Sequence, residues 1–257
     1  MNPKIIFFDI DGTLVDPATG LIPESAITAL NLLHQKGIRL CIATGRPIAS
    51  LPDLSAVTLD AMVTFNGALC YTDTQTIRSC PIPHETVKKV IANTASLGRP
   101  VSVAVRDRLV ANGIEKDLAD YYVVAGLVLT VAEDFETAIQ QDVYQIMMGY
   151  KGSELDTILQ GTTGLKAALS WERAADIVSD AGGKGPGIQA VLDHFGLDAS
   201  QAMAFGDSYN DIEMFQIVGT GIAMGNATAQ LKAIADDVCR AVSDDGIYHY
   251  CADHGLL

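Results

Sequence analysis

Lys4-Ile5-Ile6-Phe7-Phe8-Asp9-Ile10-Asp11-Gly12-Thr13 joins a run that is apolar on both faces to two carboxylates and a glycine. A strand with two apolar faces is buried on both sides, the habit of a parallel sheet covered by helices. The pattern predicts a strand over residues 4–8. In an open parallel sheet, ligands bind beyond the carboxyl ends of the strands. The two acids leave the strand at that end, and Gly12 permits a tight bend there. A single Asp at such a place is commonly a helix N-cap or an Asx-turn. A pair followed by Gly-Thr, with no helical pattern next, fits those uses less well.

Working outward, apolar spacing predicts a helix over 23–36 and buried strands over 38–43 and 61–65. The last third repeats this style. A helix is expected over 185–195, a strand over 201–205, a helix over 208–218 and a strand over 221–224. Buried strands alternating with helices imply right-handed crossovers and a doubly wound α/β domain. The middle differs. A strand, a polar turn and a strand are expected over 69–79, and Pro81 and Pro83 bracket a linker. Helices over 85–97 and 153–160 then mix with strands over 101–105, 144–149, 164–169 and 176–179. This reads as an inserted α+β domain over 84–179, returning through Ala181-Gly182-Gly183. Residues 1–80 and 183–257 form the core.

The 257 residues carry 17 basic and 31 acidic side chains, so 17 − 31 = −14, with 49% hydrophobic residues. The composition is globular. The negative balance argues against a nucleic-acid surface or an anionic membrane partner, while leaving room for a small anion at a locally positive site. Five cysteines without a CxxC read as reduced thiols. No run approaches the roughly 20 apolar residues of a membrane span. A soluble, cytoplasmic protein is expected, as a monomer or weak homodimer.

A second pair of acids lies in Gly206-Asp207-Ser208-Tyr209-Asn210-Asp211, again after a buried strand. An N-capping Asp with a second acid favoured by the helix dipole is an equal reading of that pair alone. If Asp9, Asp11, Asp207 and Asp211 converge, the cost is high. At about 4 Å two such charges repel by about 4 kcal/mol at an effective dielectric of about 20. A hard divalent cation resolves this, and carboxylate plus water ligation suits Mg²⁺. No His or Cys near the pairs argues for zinc. Thr44-Gly45-Arg46 sets a hydroxyl and a backbone N–H at another strand end, where phosphate oxygens can bind. Lys184 stands between glycines at a helix start, against the dipole, and such a local conflict often marks function.

Asp9-Ile10-Asp11-Gly12-Thr13, Thr44-Gly45-Arg46, Lys184-Gly185 and the Gly206–Asp211 stretch resemble, in order, the haloacid dehalogenase superfamily of phosphohydrolases. The likeness is to its Cof-type branch, with a type IIB-like α+β cap inserted after the third core strand. Asn66-Gly67-Ala68, Ala223-Met224-Gly225-Asn226-Ala227 and Asp245-Gly246 support it. The resemblance implies a Mg²⁺-dependent phosphatase of small phosphorylated metabolites, sugar phosphates foremost. It implies Asp9 as nucleophile, forming an aspartyl-phosphate, and Asp11 as general acid and then base. Mg²⁺ would be held by Asp9, the Asp11 backbone carbonyl, Asp207 and Asp211. Phosphate oxygens would meet Ile10 N–H, Thr44, Gly45, Lys184 and Asn210. A phosphosugar mutase of the same fold and a non-catalytic regulator that binds phosphometabolites remain as alternatives. In the cap, Arg106, Arg108 and Trp171 could meet a substrate, though such residues are more often solvated or packed.

Overall fold

The structure, a computed structural model, describes residues 3–124 and 126–257; of residues 124 and 169–171 only the backbone is described. The first stretch folds as β1 (Ile5–Phe8), α1 (Glu24–Gln35), β2 (Arg39–Ala43), β3 (Ala61–Thr64), β4 (Leu69–Tyr71) and β5 (Thr76–Ser79). The middle folds as α2 (His84–Ser96), β6 (Val101–Ala104), β7 (Leu109–Ala111), α3 (Lys116–Val124), α4 (Phe135–Ala138), β8 (Gln145–Gly149), α5 (Leu155–Ile158), β9 (Leu165–Trp171) and β10 (Ala174–Ser179). The return stretch folds as α6 (Lys184–Phe195), β11 (Ala202–Gly206), α7 (Ile212–Ile217), β12 (Thr220–Ala223), α8 (Ala229–Ile234), β13 (Asp237–Val238) and α9 (Gly246–Asp253). Two compact units result. One holds residues up to 45, 53–79 and from 183 on; the other holds 46–52 and 80–182.

The first unit is a mixed α/β domain around one sheet of order β13-β12-β11-β1-β2-β3-β4-β5. Its centre is parallel: Phe8 lies opposite Phe205 of β11 on one side and Ile42 of β2 on the other. β4 and β5 continue it as an antiparallel hairpin. Every residue of β1 is fully buried, as its two apolar faces require. Phe8 stacks on Phe205 at 5.3 Å, and Tyr250 of α9 meets Phe205 edge-on at 5.6 Å. Each such side chain contributes roughly 1.5–3 kcal/mol by leaving water.

The helix expected over 208–218 is shorter. A 3₁₀ turn, Tyr209–Asp211, precedes α7, because the Asp211 carboxylate accepts the N–H groups of Asp207 and Ser208 and shapes the first turn itself. Val218 is already extended and leads towards β12. The helix expected over 153–160 likewise shrinks to a 3₁₀ turn and α5.

The second unit has an antiparallel sheet of order β7-β6-β8-β10-β9. Val101, Val103, Ile146, Met148 and Ile177 project from one face into a core shared with Val87 and Val90 of α2 and Ile158 of α5. That alternation along each strand is the period-2 pattern that sorts side chains to two faces, and the residues of both faces are buried in β6, β8 and β10. Among the described residues, no helix is long and apolar enough to cross a membrane.

Asp176 lies on the other face of β10, buried, with the Tyr121 hydroxyl donating to its Oδ2 at 2.8 Å. Burial pushes its carboxyl up to about 6, against the hydrogen bonds from Tyr121 and Gln145. The folded state therefore holds a proton that the unfolded chain has released. Its contribution to stability is complete below about pH 4 and is lost as pH rises through about 6, a swing of about 3 kcal/mol. Asp176→Asn is expected to melt higher than wild type at pH 8, with the gap closing by pH 4.5. Thermal melts across that range check this.

Candidate active site

Three strand ends of the central sheet carry the motifs. Asp9 follows β1, Thr44 follows β2, and Asp207 follows β11. Asp9 continues the sheet by one bond, its N–H donating to the Phe205 carbonyl at 3.1 Å. The chain then turns sharply: the Ile10 carbonyl accepts the N–H groups of Thr13, Leu14 and Val15. Ile10 packs its side chain into the core, which leaves its backbone as its means of meeting a ligand. Gly12 sits at φ +78°, and a Cβ there would stand 2.3 Å from Asp207 Oδ2. Only glycine lets the two acidic loops approach this closely.

Lys184, the first residue of α6, is buried, and its ammonium lies 2.6 Å from Asp9 Oδ1 and 2.6 Å from Asp211 Oδ1. This resolves the conflict noted at the helix start, since two carboxylates outweigh the unfavourable dipole. The second oxygen of Asp211 accepts from Asp207 N at 2.9 Å and Ser208 N at 3.0 Å. Asp9, Asp207 and Asp211 bring one carboxylate oxygen each within 4.8 Å of one another. Asp11 is exposed and outside this group of three, yet close enough for its charge to act on Asp207.

The electrostatics are strained. Burial drives the Asp9 carboxyl well above the usual range; Lys184 opposes this, and the charges of Asp211 and Asp207 add to it. Burial and then the Asp211 charge push Asp207 up to about 7. Burial works against the Lys184 ammonium, but Asp211 and Asp9 outweigh it and raise its pKa. Asp207 Oδ1 is buried and has no hydrogen-bond partner among the described residues. An orphaned buried carboxylate oxygen beside two more carboxylates is a donor set that fits a hard divalent cation.

Thr44 is buried, its N–H on Val63 O at 2.8 Å and its carbonyl accepting Asn66 N at 3.0 Å. A Cβ on Gly45 would stand 3.0 Å from the Asn66 amide. Asn210 is exposed and donates to Asn66 Oδ1 at 3.2 Å. Asn66, in the left-handed region at φ 51°, thus ties the turn after β2 to the second acidic loop. Asn226 does the same for the first loop, donating to the Gly12 carbonyl at 2.8 Å. In the sequence reading both are named only within motifs that support the resemblance, and neither is given a part in the site. Arg108 pairs with Asp134 at 2.7 Å, and the Trp171 side chain lies outside the described residues.

This fold and constellation define a phosphoryl-transfer hydrolase. A family profile described as haloacid dehalogenase-like hydrolase matches residues 6–251, and the chain belongs to that family, as a Cof-type phosphohydrolase. The Bacillus subtilis protein YkrA is 29% identical over 263 residues, covering all of both chains. The pyridoxal phosphate phosphatase YbhA of Escherichia coli is 27% identical, over 99% of each chain. The solved subclass IIB sugar phosphatase BT4131 superposes with a TM-score of 0.86 at 31% identity, over 99% of this chain and all of that one. The chain is a phosphatase.

Lys184→Met removes the cation between two buried carboxylates. It is expected to cost about 3–5 kcal/mol, read as a lower urea midpoint in metal-free buffer. An unchanged midpoint would show that the clasp is dispensable.

Proposed function

We propose that the chain is a Mg²⁺-dependent phosphatase of small phosphorylated metabolites, sugar phosphates foremost, working through an aspartyl-phosphate, an acyl phosphate on Asp9. The observation that carries this reading is the buried Asp9 carboxylate, oriented at 2.6 Å by Lys184 and grouped with Asp207 and Asp211. The relatives add support: one is a pyridoxal phosphate phosphatase and another a sugar phosphatase.

In this reading an oxygen of Asp9 attacks phosphorus, and the bond from phosphorus to the substrate oxygen breaks. Asp11 gives its proton to the departing alkoxide. Asp11, now a carboxylate, takes a proton from water as that water attacks phosphorus. Inorganic phosphate leaves and Asp9 is regenerated. Lys184, the Asn210 amide, the Thr44 hydroxyl and the N–H groups of Gly45 and Ile10 hold the equatorial oxygens, where charge gathers. Mg²⁺ would be held by Asp9, Asp207, Asp211 and the Asp11 carbonyl, where it supplies positive charge against the transferring group. The inserted stretch expected over 84–179 would, in this reading, be the cap that selects the leaving group.

Asp9→Asn is expected to lower phosphate release at least ~10³-fold, and chelation of divalent cations to abolish it reversibly. Incubation with hexose phosphates separates hydrolysis from isomerisation: inorganic phosphate is expected, and an isomerised sugar phosphate would instead make the chain a mutase. Near wild-type turnover by Asp9→Asn would overturn the nucleophile assignment.

A further inference from the structure

Segment 224–228, the loop that leaves β12, touches both acidic loops. Met224 N–H donates to the Gly206 carbonyl at 2.9 Å, and Thr228 N–H donates to the Asp207 carbonyl at 2.9 Å. Between them, Asn226 Nδ2 donates to the Gly12 carbonyl at 2.8 Å. Its Oδ1 accepts the Val242 N–H at 3.0 Å, so both ends of the amide are fixed and it cannot swing away from the loop. The Gly12 carbonyl it grips is one residue past Asp11, in a turn where Gly12 takes φ +78° and presses against the Asp207 carboxylate. The turn is held inside by the Ile10 carbonyl, but Asp11 itself is exposed. The direction in which an exposed acid on a turn points follows the backbone beneath it.

We propose that Asn226 is a positioning residue that aims Asp11 at the leaving-group oxygen, by clamping the Gly12 carbonyl to segment 224–228, which is itself bonded to the loop that carries Asp207. This deepens the function proposed above and rests on its assignment of Asp11 as the proton donor. Asn226 touches neither the substrate nor the reacting atoms; it acts through the backbone on which Asp11 rides. Its loss therefore weighs most where a proton is needed. An aryl phosphate with an acidic phenol departs without one, whereas an alkyl phosphate does not.

The test compares kcat/KM for p-nitrophenyl phosphate with that for an alkyl phosphate that the wild type turns over. This parameter reports the steps up to departure of the alcohol or phenol. The ratio of the two values is independent of how much of each preparation is folded. Asn226→Ala is paired with Asn226→Leu, which keeps the volume but donates nothing, and Asp11→Asn is measured alongside. Both Asn226 variants are expected to lower the alkyl value about tenfold more than the aryl value, in the direction of Asp11→Asn. Equal losses on the two substrates, or no loss, with Asp11→Asn still selective, would overturn the positioning role and leave the proton-donor assignment standing. An Asp11→Asn variant that is not itself selective would overturn both.

Discussion

A buried ammonium between two buried carboxylates is the constraint on which the site depends. Lys184 is out of water, and a charge there is tolerable only with partners at hydrogen-bond distance. It has two, from opposite parts of the chain: Asp9 beyond β1 and Asp211 ahead of α7. Asp211 in turn grips the backbone of Asp207 and Ser208 through its other oxygen. One lysine thus fixes the first acid directly and the other acidic loop through a single carboxylate. Burial, and after it the crowding of negative charge, pushes the Asp9 and Asp207 carboxyls upward. The three carboxylates form a donor set that fits a hard divalent cation.

Two asparagines stitch the loops around this clasp. Asn66 bridges the turn after β2 and Asn210, and Asn226 bridges the Gly12 turn and the segment at Val242. Both work at glycines, because the loops approach more closely than any side chain allows. Rigid strands supply the direction of the acids, and amide bridges supply their spacing. This division suits phosphoryl transfer, where there is little covalent chemistry to do and much charge to place.

The core strands were legible because each is apolar on both faces and short, so period and composition agree. The acids were legible because they stand at the ends of those strands. Lys184 announced itself by breaking the dipole rule, and its two ion pairs explain the breach. The short length of α7 escaped because Asp211 caps its own loop, a local bond that apolar spacing does not show. Other features escaped because their order comes from partners far away in sequence, as α9 is anchored by Tyr250 against Phe205. The bridging roles of Asn66 and Asn226 escaped for the same reason: an amide's role lies in what it reaches, and spacing along the chain does not contain that. Asp11 stands outside the three-acid group, a distinction that counting carboxylates cannot make.

The strand order carries one more consequence. β1 occupies the middle of its sheet, with β2 from the following residues on one flank and β11, made last but two among the strands, on the other. During synthesis the ribosome releases the β2 flank early, while the β11 flank of β1 stays bare until the whole inserted unit has emerged. The most apolar strand of the protein thus spends that interval with an open hydrogen-bonding edge, the situation in which nascent chains stick to one another. For this architecture, then, prompt translation of residues 80–182, or shielding of the growing chain while they are made, shortens the time that edge stands open.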